Sequence, residues 1–288
     1  MGEKDMSEKI LEDYNDVFSD IVNVLLFQGK ELIEPSSLEN ISVHSQYRAE
    51  DDRLHEQERD TAKKWKKYNV QLAIIGIENQ TVVEKKMPFR LIGYDGASYK
   101  SQLQAKEDPI APVVTIVLYF GEDHWCKEKN IKSLMKIPKE LDPYVNDYKM
   151  EVFEIAWLTD EQIKMFKSDF QVVARFFVNK RKNADYIADD PTEIIHVDEV
   201  LKLLSAMTGD RDYEKVICDG TKGQVKSMCD VAERLKNMGR QEGFQEGRQE
   251  GQNILVDAVN RLRRGETPEQ IVASGIDQKT VDLALTIK

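Results

Sequence analysis

Glu78 and Gln80 close a run of apolar and small residues, Val70 to Ile77, that Gln71 alone interrupts. The run is short and rich in isoleucine, which predicts a buried strand rather than a helix. Side chains alternate along a strand, so Glu78 and Gln80 share one face and Asn79 takes the other. A carboxylate at the end of a core strand is costly to bury unless a metal ion, a lysine or an arginine answers its charge. Gly76 lies on the same face and leaves room above the carboxylate. The competing reading is a strand end where acid and amides simply meet water, and spacing alone does not choose between the two.

Two more acids are candidates. Asp60 is followed at three and four residues by Lys63 and Lys64. In a segment that reads as a helix, Leu54 to Tyr68, these three share a face, and the plain role of Asp60 is an intrahelical ion pair. Asp20 falls among the apolar positions of a predicted amphipathic helix over residues 7–27, near the edge of its stripe. Gly29 is a plausible stop for that helix.

The elements that would position these groups follow from periodicity. Residues 35–57 are polar and predict a long surface loop. After the Glu78 strand, a helix is expected from Met87 or Pro88 to about Gln104, with proline in its first turn. A second continuous apolar strand, VVTIVLYFG, ends at Gly121, and residues 151–158 form a third strand candidate. Strand, helix, strand at this spacing predicts a βαβ crossover with the first two strands parallel. Residues 159–182 and 197–207 return to a helical period. The fold class expected is α/β, a central mixed sheet flanked by helices.

The C-terminal third changes character. Residues 209–224 read as a linker and 225–288 as a helical tail, leaving residues 1–208 as the main domain. The tail carries three Gln-Glu-Gly steps ending at Gly243, Gly247 and Gly251. A four-residue period sets these glycines in a slowly drifting stripe, at about 1 kcal/mol each relative to alanine. Such a helix is marginal alone and would gain from a partner, so a homo-oligomer through the tail is expected; a flexible linker is the alternative. Three short helices follow, the middle one opening on Thr267-Pro268.

Composition narrows the class. With 288 residues and 41% hydrophobic content the chain can bury a full core. There is no apolar run of about 18 residues, so no membrane span is expected. The first residues are too charged for a signal peptide. Cys126, Cys218 and Cys229 lie far apart, which favours a reducing, cytoplasmic setting over a structural zinc site. The net charge of −11 speaks against nucleic acid, but its distribution does not. Residues 1–58 carry fifteen acids and five bases, whereas 59–90 carry eight bases and three acids. A basic strip beside a carboxylate strand can hold a phosphate backbone, although a solvated face is the commoner use of such a strip.

Taken together, Phe18-Ser-Asp20-Ile-Val-Asn23, Arg59-Asp60-x-x-Lys63, Gly76-Ile-Glu78-Asn-Gln80, Met87-Pro88 with Tyr94-Asp95, and Val117-Leu-Tyr-Phe-Gly121 resemble the Rpn-type recombination-promoting nucleases, of the PD-(D/E)XK superfamily. The resemblance runs from about residue 14 to about residue 180. It implies a restriction-endonuclease-like core and an Mg²⁺-dependent DNA endonuclease, with Mn²⁺ as a substitute ion. Asp60 and Glu78 would hold the metal, and Gln80 would orient water in the place where the superfamily often has lysine. Asp20 would be an auxiliary acid, and Arg59, Lys63 and Lys64 would meet phosphate. Gln cannot carry charge but can orient water through its amide. Two rival expectations stand beside this one: a cleavage-inactive DNA-binding or assembly module, and a structural protein whose tail mediates oligomerisation.

Overall fold

β5 (Val70–Gln80) is the middle strand of the main sheet. A computed structural model describes residues 11–41, 44–48, 54–58, 60–67, 70–218 and 225–287. In chain order the first elements are α1 (Asn15–Leu25), β1 (Leu38–Asn40), β2 (His44–Arg48), β3 (Leu54–Glu58) and β4 (Thr61–Lys67). After β5 come α2 (Met87–Gln104), β6 (Val113–Tyr119), β7 (Glu151–Glu154), α3 (Asp160–Met165), α4 (Phe170–Lys182), α5 (Val197–Thr208) and α6 (Asp212–Cys218). The last elements are α7 (Met228–Arg263), α8 (Pro268–Ala273) and α9 (Gln278–Ile287). The chain divides into two compact units, Met1–Val231 and Ala232–Lys288.

The first unit is built on a five-stranded mixed sheet in the order β1-β4-β5-β6-β7, with β2 and β3 forming a separate antiparallel pair. β5 runs antiparallel to β4 and parallel to β6. The βαβ crossover through α2 is therefore present, and the α/β class with it. Alternation divides the sheet into two faces. On one, Val117 and Tyr119 of β6 pack with Met87, Leu91 and Tyr94 of α2. On the other, Phe120 meets the rings of Phe170 and Phe177 in α4 at 6.4 and 5.1 Å. Phe18 of α1 lies on this second side, under the ammonium of Lys63.

Four expectations need correction. The segment expected as a helix over Leu54–Tyr68 is β3 followed by β4. Its charges three and four apart mimic a helical face, but β4 is paired on both sides, to β1 and to the isoleucine-rich β5, and the ladder overrides local preference. The polar stretch 35–57 is no simple loop, since β1, β2 and most of β3 lie within it. The helix expected over 159–182 is two helices. α3 starts on a Thr159 capping box, and α4 begins afresh at Phe170. The reason is Asp20: its Oδ2 accepts hydrogen bonds from the backbone N–H groups of Lys167 and Ser168 at 2.8 and 2.7 Å, taking donors that a continuous helix would use. Finally, α6 falls inside the stretch read as linker.

The second unit has its own small core, in which Ala258, Val259 and Leu262 of α7 pack with Ile271 of α8 and with Val281 and Ala284 of α9. α8 opens on a Thr267 capping box with Pro268 in its first turn. α7 is one continuous helix through the Gln-Glu-Gly steps to Arg263, so the first of the three short helices expected after them is its C-terminal end.

Candidate active site

The C-terminal end of β5 gathers the candidate groups from four stretches of chain. Thr61 of β4 pairs with Ile77, so the next step of the antiparallel register sets Asp60 beside Glu78 on the face that α2 covers. Asp60 is buried, and its Oδ2 accepts the backbone N–H of Asn79 at 2.6 Å. Glu78 is 1% exposed. Burial of that degree demands a cation, and Arg90, in the first turn of α2, supplies one: its Nη2 lies 2.5 Å from Glu78 Oε1. Pro88 at the start of α2 fixes that turn directly over the strand end. Arg90 also donates to the Tyr94 hydroxyl at 3.1 Å, four residues on along the same helix.

The electrostatics are coherent. Burial opposes the charge on Arg90, yet Glu78, Tyr94 and Asp60 around it outweigh burial and raise its pKa. Burial raises the pKa of the Tyr94 phenol, and Glu78 pushes it further in the same direction. Gln80, two residues beyond Glu78 on the same face, brings its amide to 3.5 Å from Glu78 Oε1, the outer limit of a hydrogen bond. Asn79 points the other way, as alternation requires, and its Nδ2 donates to the buried Glu12 at 2.8 Å. Asn79 thus ties Asp60 through its backbone and Glu12 through its side chain.

The sequence candidates are not all brought here. Asp60, Glu78 and Gln80 come together at the strand end. Asp20 spends its carboxylate on the turn before α4, where Ser168 Oγ adds a third hydrogen bond at 2.7 Å. Lys63 is fully buried on the α1 face, and its ammonium donates to the Asp13 carbonyl at 2.6 Å and to Asn40 Oδ1. It serves the interior, so its expected contact with phosphate is replaced by a structural one. Lys64 faces the α2 side and pairs with Glu107 at 2.9 Å. Arg59 lies outside the described residues. Sequence reasoning missed two members, Glu12 and Arg90. The signal for Arg90 was its spacing of four from Tyr94 at the head of the helix after the Glu78 strand; Glu12 had none, being one acid in an acidic terminus.

The arrangement offers hard oxygen donors, a fixed amide and a permanent cation on one sheet face. Among the described residues no set of three or more His, Cys, Asp or Glu converges as a metal cage. Also among them, no helix is long and apolar enough to cross a membrane. Comparison with curated proteins and with solved structures gives no match. A family model does match: the one described as "Putative transposase, YhgA-like" covers residues 48–201, more than half of the chain and the whole of the β4–β5–α2–β6 assembly. The chain belongs to the YhgA-like putative transposase family.

Proposed function

We propose that the protein is a metal-dependent DNA endonuclease that hydrolyses phosphodiester bonds, with Asp60 and Glu78 as the metal ligands. The observation that carries this reading is the pairing of two buried carboxylates at the end of one strand face, with Gln80 beside them. Mg²⁺ fits such a donor set, because it keeps several waters and needs only one or two carboxylates from the protein. When bound, the ion would neutralise phosphoryl oxygens and lower the pKa of a bound water. The chain's own residues do the rest. The Asn79 N–H holds Asp60 in orientation, and Gln80 orients water through its amide. Exposed Lys85 and Lys86, at the entry to α2, meet the phosphate backbone beside the site. Glu12 is a positioning residue that acts through Asn79.

Self-association through α7 belongs to the same proposal. The glycines at 239, 243, 247 and 251 have open space where a side chain would be, so nothing in their own chain requires them. Their cost to the helix is explained if a second copy approaches closely there.

A supercoiled-plasmid nicking assay tests the nuclease. Mg²⁺ or Mn²⁺ should support nicking, Ca²⁺ should support binding with little cutting, and Glu78→Ala should lower the rate by at least ~100-fold, the scale of losing a transition-state electrostatic contact. Undiminished nicking by purified Glu78→Ala protein sinks the assignment. Binding without nicking in every metal supports the inactive-module alternative instead.

A further inference from the structure

Arg90 has two surroundings at once. One face of its guanidinium is on a carboxylate that is 1% exposed, while its own side chain is 37% exposed. Nη1 leans toward Glu84 Oε2 at 3.7 Å, outside the site, and the Tyr94 ring lies 5.9 Å from the guanidinium carbon. The backbone of Arg90 is fixed in the first turn of α2, so the head group can move while its stem stays. Glu78 Oε1, which it holds, belongs to the same buried carboxylate that the proposed metal ion would use. Mg²⁺ binds oxygen at about 2.0–2.1 Å, so an ion on that carboxylate and a guanidinium on the same group stand as two close like charges that compete for one buried anion. An arginine is always charged, and its planar fork suits a phosphate as well as a carboxylate.

We propose that Arg90 is the resident counter-cation of this site: a divalent ion displaces it from Glu78, and the released guanidinium then takes a phosphate of the bound DNA. Without metal, Arg90 answers the buried charge of Glu78 and keeps the site assembled. With metal and substrate, the same side chain turns outward by a rotation about its stem and binds a non-bridging phosphate oxygen. No proton or electron changes hands; one ion pair is exchanged for another. The exchange makes metal binding and DNA binding mutually supportive, since the phosphate rewards the guanidinium that the metal has displaced. The inference rests on Asp60 and Glu78 being metal ligands.

The test is metal binding without turnover. Mn²⁺ is titrated calorimetrically into the full-length wild-type protein and its Arg90→Ala variant in the absence of DNA, and melting is followed in chelator. Arg90→Ala should melt at a lower temperature, because Glu78 loses a partner, and should bind Mn²⁺ roughly tenfold more tightly, the weight of one charge-assisted hydrogen bond removed as a competitor. An arginine that only held the fold together would lower stability and metal affinity together; that outcome, or an unchanged affinity, overturns the proposal. If Arg90→Ala does not fold, the wild-type protein still decides. Its Arg90 Nε–Hε NMR signal, assigned through Arg90→Lys, should shift on saturation with Mg²⁺ and again on addition of a short duplex in Ca²⁺. A signal that stays in place overturns the exchange. Should neither protein take up Mn²⁺, the metal reading itself falls; should wild type bind and Arg90→Ala bind no better, that reading stands and only the role of Arg90 is lost.

Discussion

At the scale of single residues, the acids described above are held by different means. Glu78 is answered by a guanidinium, Asp60 by a backbone amide, and Asp20 by two amides and a hydroxyl. Asp190 combines both devices. Burial works against its charge, yet hydrogen bonds from Thr192 and the Arg175 guanidinium hold its pKa below the ordinary carboxylate value. A depressed folded pKa contributes stability that is present above the unfolded value of about 3.9 and is lost as pH falls through the folded one. Asp190→Asn should therefore cost about 1–3 kcal/mol at pH 7 and almost nothing near pH 2. Thermal melts across that range check it; a cost that does not shrink in acid would mean that shape rather than charge is what Asp190 supplies.

At the scale of elements, β4 is the instructive case. Asp60 was visible as a candidate from its partners in sequence, yet its placement was not, because Lys63 and Lys64 stand at helical spacing. In the strand they part company: Lys63 goes to the α1 face and is buried, while Lys64 goes to the α2 face and pairs with Glu107. β5, α2 and β6 were legible because their patterns are local, an isoleucine run, a proline-led helix and a second apolar run. Arg90 on Glu78 was not, because that contact depends on how α2 lies over the strand, which no short window of sequence records. If DNA is bound as proposed, the same division of faces predicts which cations meet it. Lys85→Glu with Lys86→Glu should reduce the slope of log affinity against log salt by about 1.8, two phosphate contacts' worth. Lys63→Met should leave the slope alone, since its ammonium never reaches solvent. Fluorescence anisotropy with a labelled duplex measures both, and a slope that moves with Lys63 instead would reverse the faces.

At the scale of the whole molecule, the glycines of α7 give a test by sign. Gly243→Ala, Gly247→Ala and Gly251→Ala together should raise intrinsic helix stability by about 2–3 kcal/mol. If a second copy packs on them, the same three methyl groups should weaken self-association. Sedimentation velocity paired with circular dichroism reads the two effects separately. A variant that is more helical and equally oligomeric would remove the stripe from the interface.

The aromatic contact between Phe120 and α4 carries a consequence in the order of synthesis. Glu12, Asp60, Glu78 and Arg90 all precede β6 in the chain, and β6 follows close behind them. The rings that meet Phe120, just after β6, emerge only with Phe170 and Phe177, about 50 residues later, a lag of roughly 3–10 s at ordinary elongation rates. Through that interval the nascent chain holds every candidate group of the site but not the α4 part of the layer that backs it. An interrupted product ending before Phe170 is thus a chain with exposed apolar sheet, a substrate for chaperones and proteases.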